Sequence, residues 1–155
     1  MINLIWAMDS ERIIGNDNKM PWHCKEDLLY FKSKTKDKTV LLGYNNYVSL
    51  LGYYKDKPLP YGKTYLLTHK DINIPGIYVI HDIKDVLNEE ELWVIGGGQI
   101  YKQMLPYASY LYMTIINGKH EGNVYFPEFD LNDYELQSSN TTDEAKYLVY
   151  KRRGL

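Results

Sequence analysis

A chain of 155 residues, 45% hydrophobic and 25% charged, has the size and balance of one soluble domain spanning 1–155, with enough apolar material for a core that needs no covalent staple. A net charge of −2 gives no electrostatic footprint for nucleic acid, and the Lys151-Arg152-Arg153 run is ordinary for a solvated strand end. One cysteine, Cys24, excludes an internal disulfide, and no apolar run approaches membrane-spanning length, so a cytoplasmic protein that does not engage a membrane is expected.

The first strand is expected over 2–8, apolar on both faces and therefore central. Residues 9–23 are polar, with Gly15 and Pro21, and read as a long loop of the kind that serves as a lid or binding element. A helix follows over 25–36, with Leu28, Leu29 and Phe31 on one face and lysines opposite. Then come a strand over 39–43, a short helix over 45–51, a Pro-containing connection over 52–62 and a strand over 63–68. Pro75-Gly76 closes a turn before a strand over 77–80, and Asp82 is the N-cap of a helix expected over 82–90. A buried strand over 92–95 runs into Gly96-Gly97-Gly98 and a helix over 99–105 that Pro106 stops. Strands over 109–117, 134–138 and 146–152 complete the chain. Strands alternating with helices and then giving way to strands predict an α/β fold with a mostly parallel sheet, an antiparallel C-terminal edge, and ligands at the carboxyl ends of the strands.

Chemistry concentrates in four places. Asp27 sits at the start of a helix, just after the Pro21-Trp22 loop; it is either a first-turn acid complementing the helix dipole or a carboxylate held in a greasy pocket. In the second case it can grip a flat, amidine-like ligand edge and relay a proton near neutral pH. The Gly96-Gly97-Gly98 junction lets backbone approach a phosphate, or is simply a tight turn; Tyr101 stands where a dinucleotide fingerprint has its third glycine. Gly43, followed by Tyr44-Asn45-Asn46, is a second strand-to-helix junction, and Lys70 beside Thr68 and His69 could face a ribose phosphate or be a surface turn lysine. Trp22, Phe31 and Tyr101 are candidates for stacking on a flat ligand, although aromatics are more often core. His23, His69, His81 and His120 are scattered, and no metal site is expected.

Taken in order, Ile13-Ile14-Gly15-Asn16, Met20-Pro21-Trp22 through Asp27-Leu28 to Phe31-Lys32, Val40-Leu41-Leu42-Gly43, Pro58-Leu59-Pro60, Val94-Ile95-Gly96-Gly97-Gly98-Gln99-Ile100-Tyr101 and Glu121-Gly122 to Phe126-Pro127 resemble the dihydrofolate reductase family over essentially the whole chain. The resemblance implies an eight-stranded α/β fold and an oxidoreductase that reduces 7,8-dihydrofolate to tetrahydrofolate with NADPH, passing hydride to pterin C6. It makes Asp27 the pocket acid that grips the pterin and promotes N5 protonation, with Thr114 orienting it, Trp22 holding a water, Tyr101 beside the reacting groups and Met20 in a lid. Ile5 and Ile95 would offer carbonyls to the pterin, while Leu28, Phe31, Lys32, Leu50 and Leu59 line the rest of the substrate passage. Ala7, Ile14, Gly15, Asn18, Gly43, Tyr44, Asn45, Asn46, Thr68, His69, Lys70, Gly97, Gly98, Gln99, Ile100 and Tyr101 would surround the cofactor. Dihydrofolate and antifolate small molecules are the partners it implies, in one-carbon metabolism, and a monomer is the default.

Three positions depart from the family pattern. Tyr44 stands where an arginine usually clasps the cofactor's 2′-phosphate, leaving Lys70 or His69 for that task. Gly62 occupies the place of the arginine that clamps the substrate's glutamate carboxylate, leaving Lys63 or Lys32 as a point charge without the bidentate fork. Trp6 replaces a small residue and either crowds the cofactor side or packs inward. These departures keep two alternatives open: a reductase of a pterin without the glutamate tail, and a binding or structural module on the same fold.

Overall fold

The computed structural model describes residues 1–15, 20–55 and 57–155. Its strands are β1 (Ile2–Met8), β2 (Ile13–Gly15), β3 (Thr39–Gly43), β4 (Lys63–Leu67), β5 (Tyr78–Ile80), β6 (Leu92–Val94), β7 (Tyr110–Ile116), β8 (Val124–Tyr125), β9 (Tyr134–Thr141) and β10 (Ala145–Arg152). The helices are α1 (Lys25–Thr35), α2 (Tyr44–Tyr53) and α3 (Gly98–Met104). Eight strands form one sheet in the order β5-β4-β3-β6-β1-β7-β10-β9. All neighbours are parallel except β10, which runs antiparallel to both β7 and β9. The expected α/β architecture with an antiparallel C-terminal edge is therefore the one observed.

Hydrophobic patterning sets the strand order. β1 has no polar face apart from Asn3, so it occupies the middle, between β6 and β7. β9 reads Tyr-Glu-Leu-Gln-Ser-Ser-Asn-Thr, with only Tyr134 buried, and takes the edge. One face of the sheet carries Leu4, Trp6, Met8, Val94, Leu111 and Met113 against Ile100, Tyr101 and Met104 of α3. The other carries Ile5, Val40, Leu42, Leu66, Trp93 and Ile95, covered by Tyr47 of α2 and partly buried Phe31, Leu50 and Leu59. Each fully buried leucine in these layers contributes about 1.5–3 kcal/mol. Trp6 packs inward, stacked on Phe126 with ring centroids 3.8 Å apart and edge-on to Phe129. Of the two placements expected for it, the indole takes the inward one, in the core layer with Ile100 and Tyr101.

Four local expectations change. Helix α1 does not bury Leu28 and Leu29, which are 37% and 57% exposed; its buried positions are Asp27 and Thr35. Residues 82–90 form only a single 3₁₀ turn (Ile83–Asp85), although Asp82 caps it as expected by accepting from the Lys84 N–H. Pro106 does not end the third helical segment but lies inside a 3₁₀ turn (Leu105–Tyr107) that follows α3. The first loop contains β2, which pairs with β8 in a separate two-stranded ladder. A three-residue strand is below the length at which periodicity can be read.

Parallel strands place the carboxyl ends of β1, β3, β4, β6 and β7 along one edge. The segments that follow them, including the first loop, the Gly43–α2 junction and the Gly96–α3 junction, therefore converge.

Candidate active site

Asp27 lies in the first turn of α1 and is buried to 7% exposure. Its carboxyl is pushed up to about 6, because burial strips solvent from the charged form; a hydrogen bond from the Thr114 hydroxyl partly opposes this, and the neighbouring Glu26 charge adds to the rise. Thr114, itself buried, sits opposite Ala7 of β1 on one side and Tyr147 of β10 on the other. The pocket thus forms where α1 crosses the carboxyl end of the central strands. Nearby, Tyr30 has its hydroxyl pushed up to about 12 by burial, with Tyr112 and Asp27 adding to it.

Glu26 escaped the sequence reading. Its carboxylate accepts from the Tyr147 hydroxyl at 2.6 Å and the Thr142 hydroxyl at 2.8 Å, which fixes a second negative charge beside Asp27. The Glu26-Asp27 adjacency was the available signal; its partners lie more than a hundred residues away and gave none.

The glycine-rich junction is built from both sides. Gly96 adopts φ +114, and the Gly96–Gly97 peptide is cis. A Cβ on Gly96 would lie 3.1 Å from both the Asn46 amide nitrogen and the Tyr101 hydroxyl. Gly43 donates its N–H to the Gly96 carbonyl at 2.8 Å and packs under Ile100, where a Cβ would come within 3.0 Å of Cγ1. The Asn46 amide donates to the Ile95 carbonyl at 2.8 Å, and the Tyr101 hydroxyl to the Ile5 carbonyl at 2.7 Å. Each of those carbonyls keeps a second lone pair. A Cβ at Gly97 would meet nothing within 4 Å among the described residues, so they leave the junction open on that side.

Around this centre, Gly15, Ile14, Ala7, Gly98 and Ile100 line the same strand-end region, with Ile14 3.9 Å from the Cβ position of Gly98. Asn45, Gln99, His69 and Lys70 are exposed, and Thr68 is half-buried, accepting the Lys70 N–H. The Lys70 ammonium stands 4.9 Å from the centre of the Tyr44 ring. Met20 is 49% exposed and Trp22 is buried. Asn18 falls outside the described residues. Phe31, Leu50 and Leu59 pack on the α2 side of the cleft. Lys32 donates to the Tyr53 hydroxyl at 3.0 Å and lies over the Tyr53 and Tyr54 rings. Lys63, the other lysine considered for the tail, is instead paired with Glu89 at 3.3 Å. Gly62 leaves no room for a longer residue, since a Cβ there would lie 2.5 Å from the Asp37 carbonyl oxygen.

A buried carboxyl raised toward neutrality, beside aromatic and aliphatic side chains and a glycine turn, suits a flat polar ring laid against a phosphate-bearing co-substrate. Comparisons with known proteins agree. A family model described as dihydrofolate reductase matches residues 1–153. The chain is 39% identical to the dihydrofolate reductase of Bacillus subtilis (strain 168), over 99% of this chain and 96% of that protein. It is 36% identical to the dihydrofolate reductase of Staphylococcus haemolyticus, over 86% of this chain and 81% of that one. Among solved structures, dihydrofolate reductase from Enterococcus faecalis, complexed with NADP(H) and RAB-propyl, superposes with a TM-score of 0.84 at 29% identity, covering 99% of this chain and 96% of that one.

Proposed function

The chain belongs to the dihydrofolate reductase family, and from that premise we propose that it reduces 7,8-dihydrofolate to 5,6,7,8-tetrahydrofolate using Asp27 to hold the pterin and promote protonation at N5. The burial of Asp27, with its carboxyl pushed up to about 6, carries this reading. A carboxyl at that level shuttles between proton donor and hydrogen-bond acceptor at physiological pH. Asp27 accepts the ring N3–H and 2-amino group, Thr114 holds the carboxyl in orientation, and the resulting anion favours a cationic N5 at the bond being reduced. Trp22 retains a water beside it. The free lone pairs of the Ile5 and Ile95 carbonyls take the opposite ring edge, and Tyr101 fixes Ile5 from behind. Leu28, Phe31, Leu50 and Leu59 hold the benzoyl portion, with the Lys32 ammonium at the far end.

The open turn at Gly97 and the tightly packed Gly43 and Gly96 fit a backbone-lined cofactor cradle. NADPH, when bound, supplies the hydride. Ala7, Ile14, Gly15, Asn18, Gly43, Asn45, Asn46, Thr68 and Gly97 through Tyr101 would hold it, with Met20 covering it and Tyr44, His69 and Lys70 at the 2′-phosphate. A monomer working in cytoplasmic one-carbon metabolism, sensitive to antifolates, completes the reading.

Dihydrofolate-dependent oxidation of NADPH tests it directly. Asp27→Asn is expected to lower kcat/KM by roughly 10²–10⁴-fold, and unchanged turnover would remove Asp27 from the mechanism. Gly62 favours a second reading, a pterin substrate without the glutamate tail, because no side chain fits there. Comparing rates on dihydrofolate and a tail-less dihydropterin separates the two; a strong preference for the glutamylated form ends the second.

A further inference from the structure

The segment after β7 and the loop after β1 are joined by one buried carboxylate. The Asp9 side chain is fully buried. Its Oδ1 accepts the N–H groups of Glu11 at 2.9 Å and Ile13 at 3.0 Å, closing the turn into β2. Its Oδ2 accepts the His120 N–H at 2.9 Å. Burial would raise the Asp9 carboxyl, but the three backbone donors of Ile13, His120 and Glu11, with the imidazole behind them, hold it below its usual range. Asp9 is therefore an anchor satisfied mainly by backbone donors.

His120 continues the chain of contacts inward. Its Nδ1 lies 3.6 Å from Asp9 Oδ2, within ion-pair reach and too long for a hydrogen bond. Its ring meets the Trp22 indole edge-on, with centroids 5.2 Å apart. Trp22 in turn belongs to one buried cluster with Tyr147 and Ala7, the two residues that flank Thr114 across the sheet. Among the described residues the buried Trp22 Nε1 has no hydrogen-bond partner, so no hydrogen bond to them sets the rotation of the indole. Packing must set it, and the His120 ring supplies an aromatic contact to it from outside the pocket.

We propose that His120 is a positioning residue for the reductase site, tied by its backbone to Asp9 and by its ring to Trp22, so that the indole stays fixed beside the Asp27–Thr114 pair. The proposal rests on the dihydrofolate reductase reading given above for what Trp22 serves, and its geometry does not. Small displacements of a group lining a reacting centre cost rate before they cost binding.

The test uses the full chain. The three indole N–H resonances of Trp6, Trp22 and Trp93 are assigned with Trp22→Phe, then followed in His120→Ala. Only the Trp22 resonance should move, kcat should fall by about three- to tenfold and the KM for dihydrofolate should stay within about twofold. His120→Phe keeps an aromatic edge and the backbone N–H to Asp9, and should restore both the resonance and kcat. If His120→Ala does not fold, His120→Gln takes its place in the same comparison. A Trp22 resonance that ignores the loss of the ring, or a kcat that His120→Phe leaves low, overturns the proposal. Failure of the reductase reading is a separate result, because it would appear as no dihydrofolate turnover in the unsubstituted protein, whereas the resonance is read in the resting state.

Discussion

Asp27 is held in a costly form. Its carboxyl stands at about 6 against an ordinary 3.8, and that rise corresponds to about 3 kcal/mol of folding free energy at most. Because the folded value lies above the unfolded one, the folded chain binds the extra proton between about pH 4 and 6. Stability from this group is full below that window and lost as pH rises through it. Asp27→Asn should therefore raise Tm at pH 7.5 and leave it unchanged near pH 3.5, as read by calorimetry, while activity collapses. For the same reason kcat/KM should decline as pH rises through about 6, where the free enzyme loses its proton. The burial of Asp27 was legible as one of two readings, because the acid follows a Pro-Trp loop at the start of a helix with apolar neighbours. The Tyr101 contact was not legible: its hydroxyl reaches the Ile5 carbonyl across 96 positions, and no local pattern encodes that pairing.

At the level of elements, glycines mark where segments touch. Gly122 packs on β2, and a Cβ there would run into Ile13 Cγ2 and lie 2.6 Å from the Gly15 carbonyl oxygen. Gly122→Val must push its loop off β2; a loss of about 1–3 kcal/mol in chemical denaturation is expected, with a lower kcat. Gly62→Arg, designed to supply a fork for the glutamate carboxylate, should fail for the same kind of reason, since its Cβ would meet the Asp37 carbonyl oxygen at 2.5 Å. The outcome to measure is a lower Tm without a tighter KM for dihydrofolate. Long periodic elements were legible: β1 emerged at its expected bounds, and the expected 25–36 helix emerged as α1 (Lys25–Thr35). The inward face of α1 was not, because the helix turns Asp27 and Thr35 toward the sheet and leaves Leu29 outside. Tertiary context overrode an apolar stripe at the cleft, where function keeps polar groups inside and apolar ones on the lip.

For the molecule as a whole, the alternation of strand and helix specified the parallel core, and the late run of strands specified the antiparallel edge. Strand order was beyond the sequence, because β3, β6 and β1 become neighbours through crossovers whose partners are distant in the chain. The proposed cofactor and substrate regions both lie at the carboxyl ends of one sheet, so ligands that bind only the folded chain should stabilise it as a unit. NADPH at about one hundred times its Kd should add about 2.7 kcal/mol, seen as a higher Tm. A diaminopyrimidine antifolate should do the same for the unsubstituted chain and lose most of that effect in Asp27→Asn, while the NADPH shift survives.

Cys24 gives the chain a reporter of its own. The thiol is 7% exposed at the start of α1, lies 3.7 Å from a Glu144 oxygen and has its ionisation pushed up, first by burial. Reagents that need a thiolate should ignore it until the Pro-Trp segment lifts from the sheet. Labelling speed then counts openings of the corner around Trp22 and Asp27, with no engineered probe and no competing sulfhydryl anywhere in the sequence.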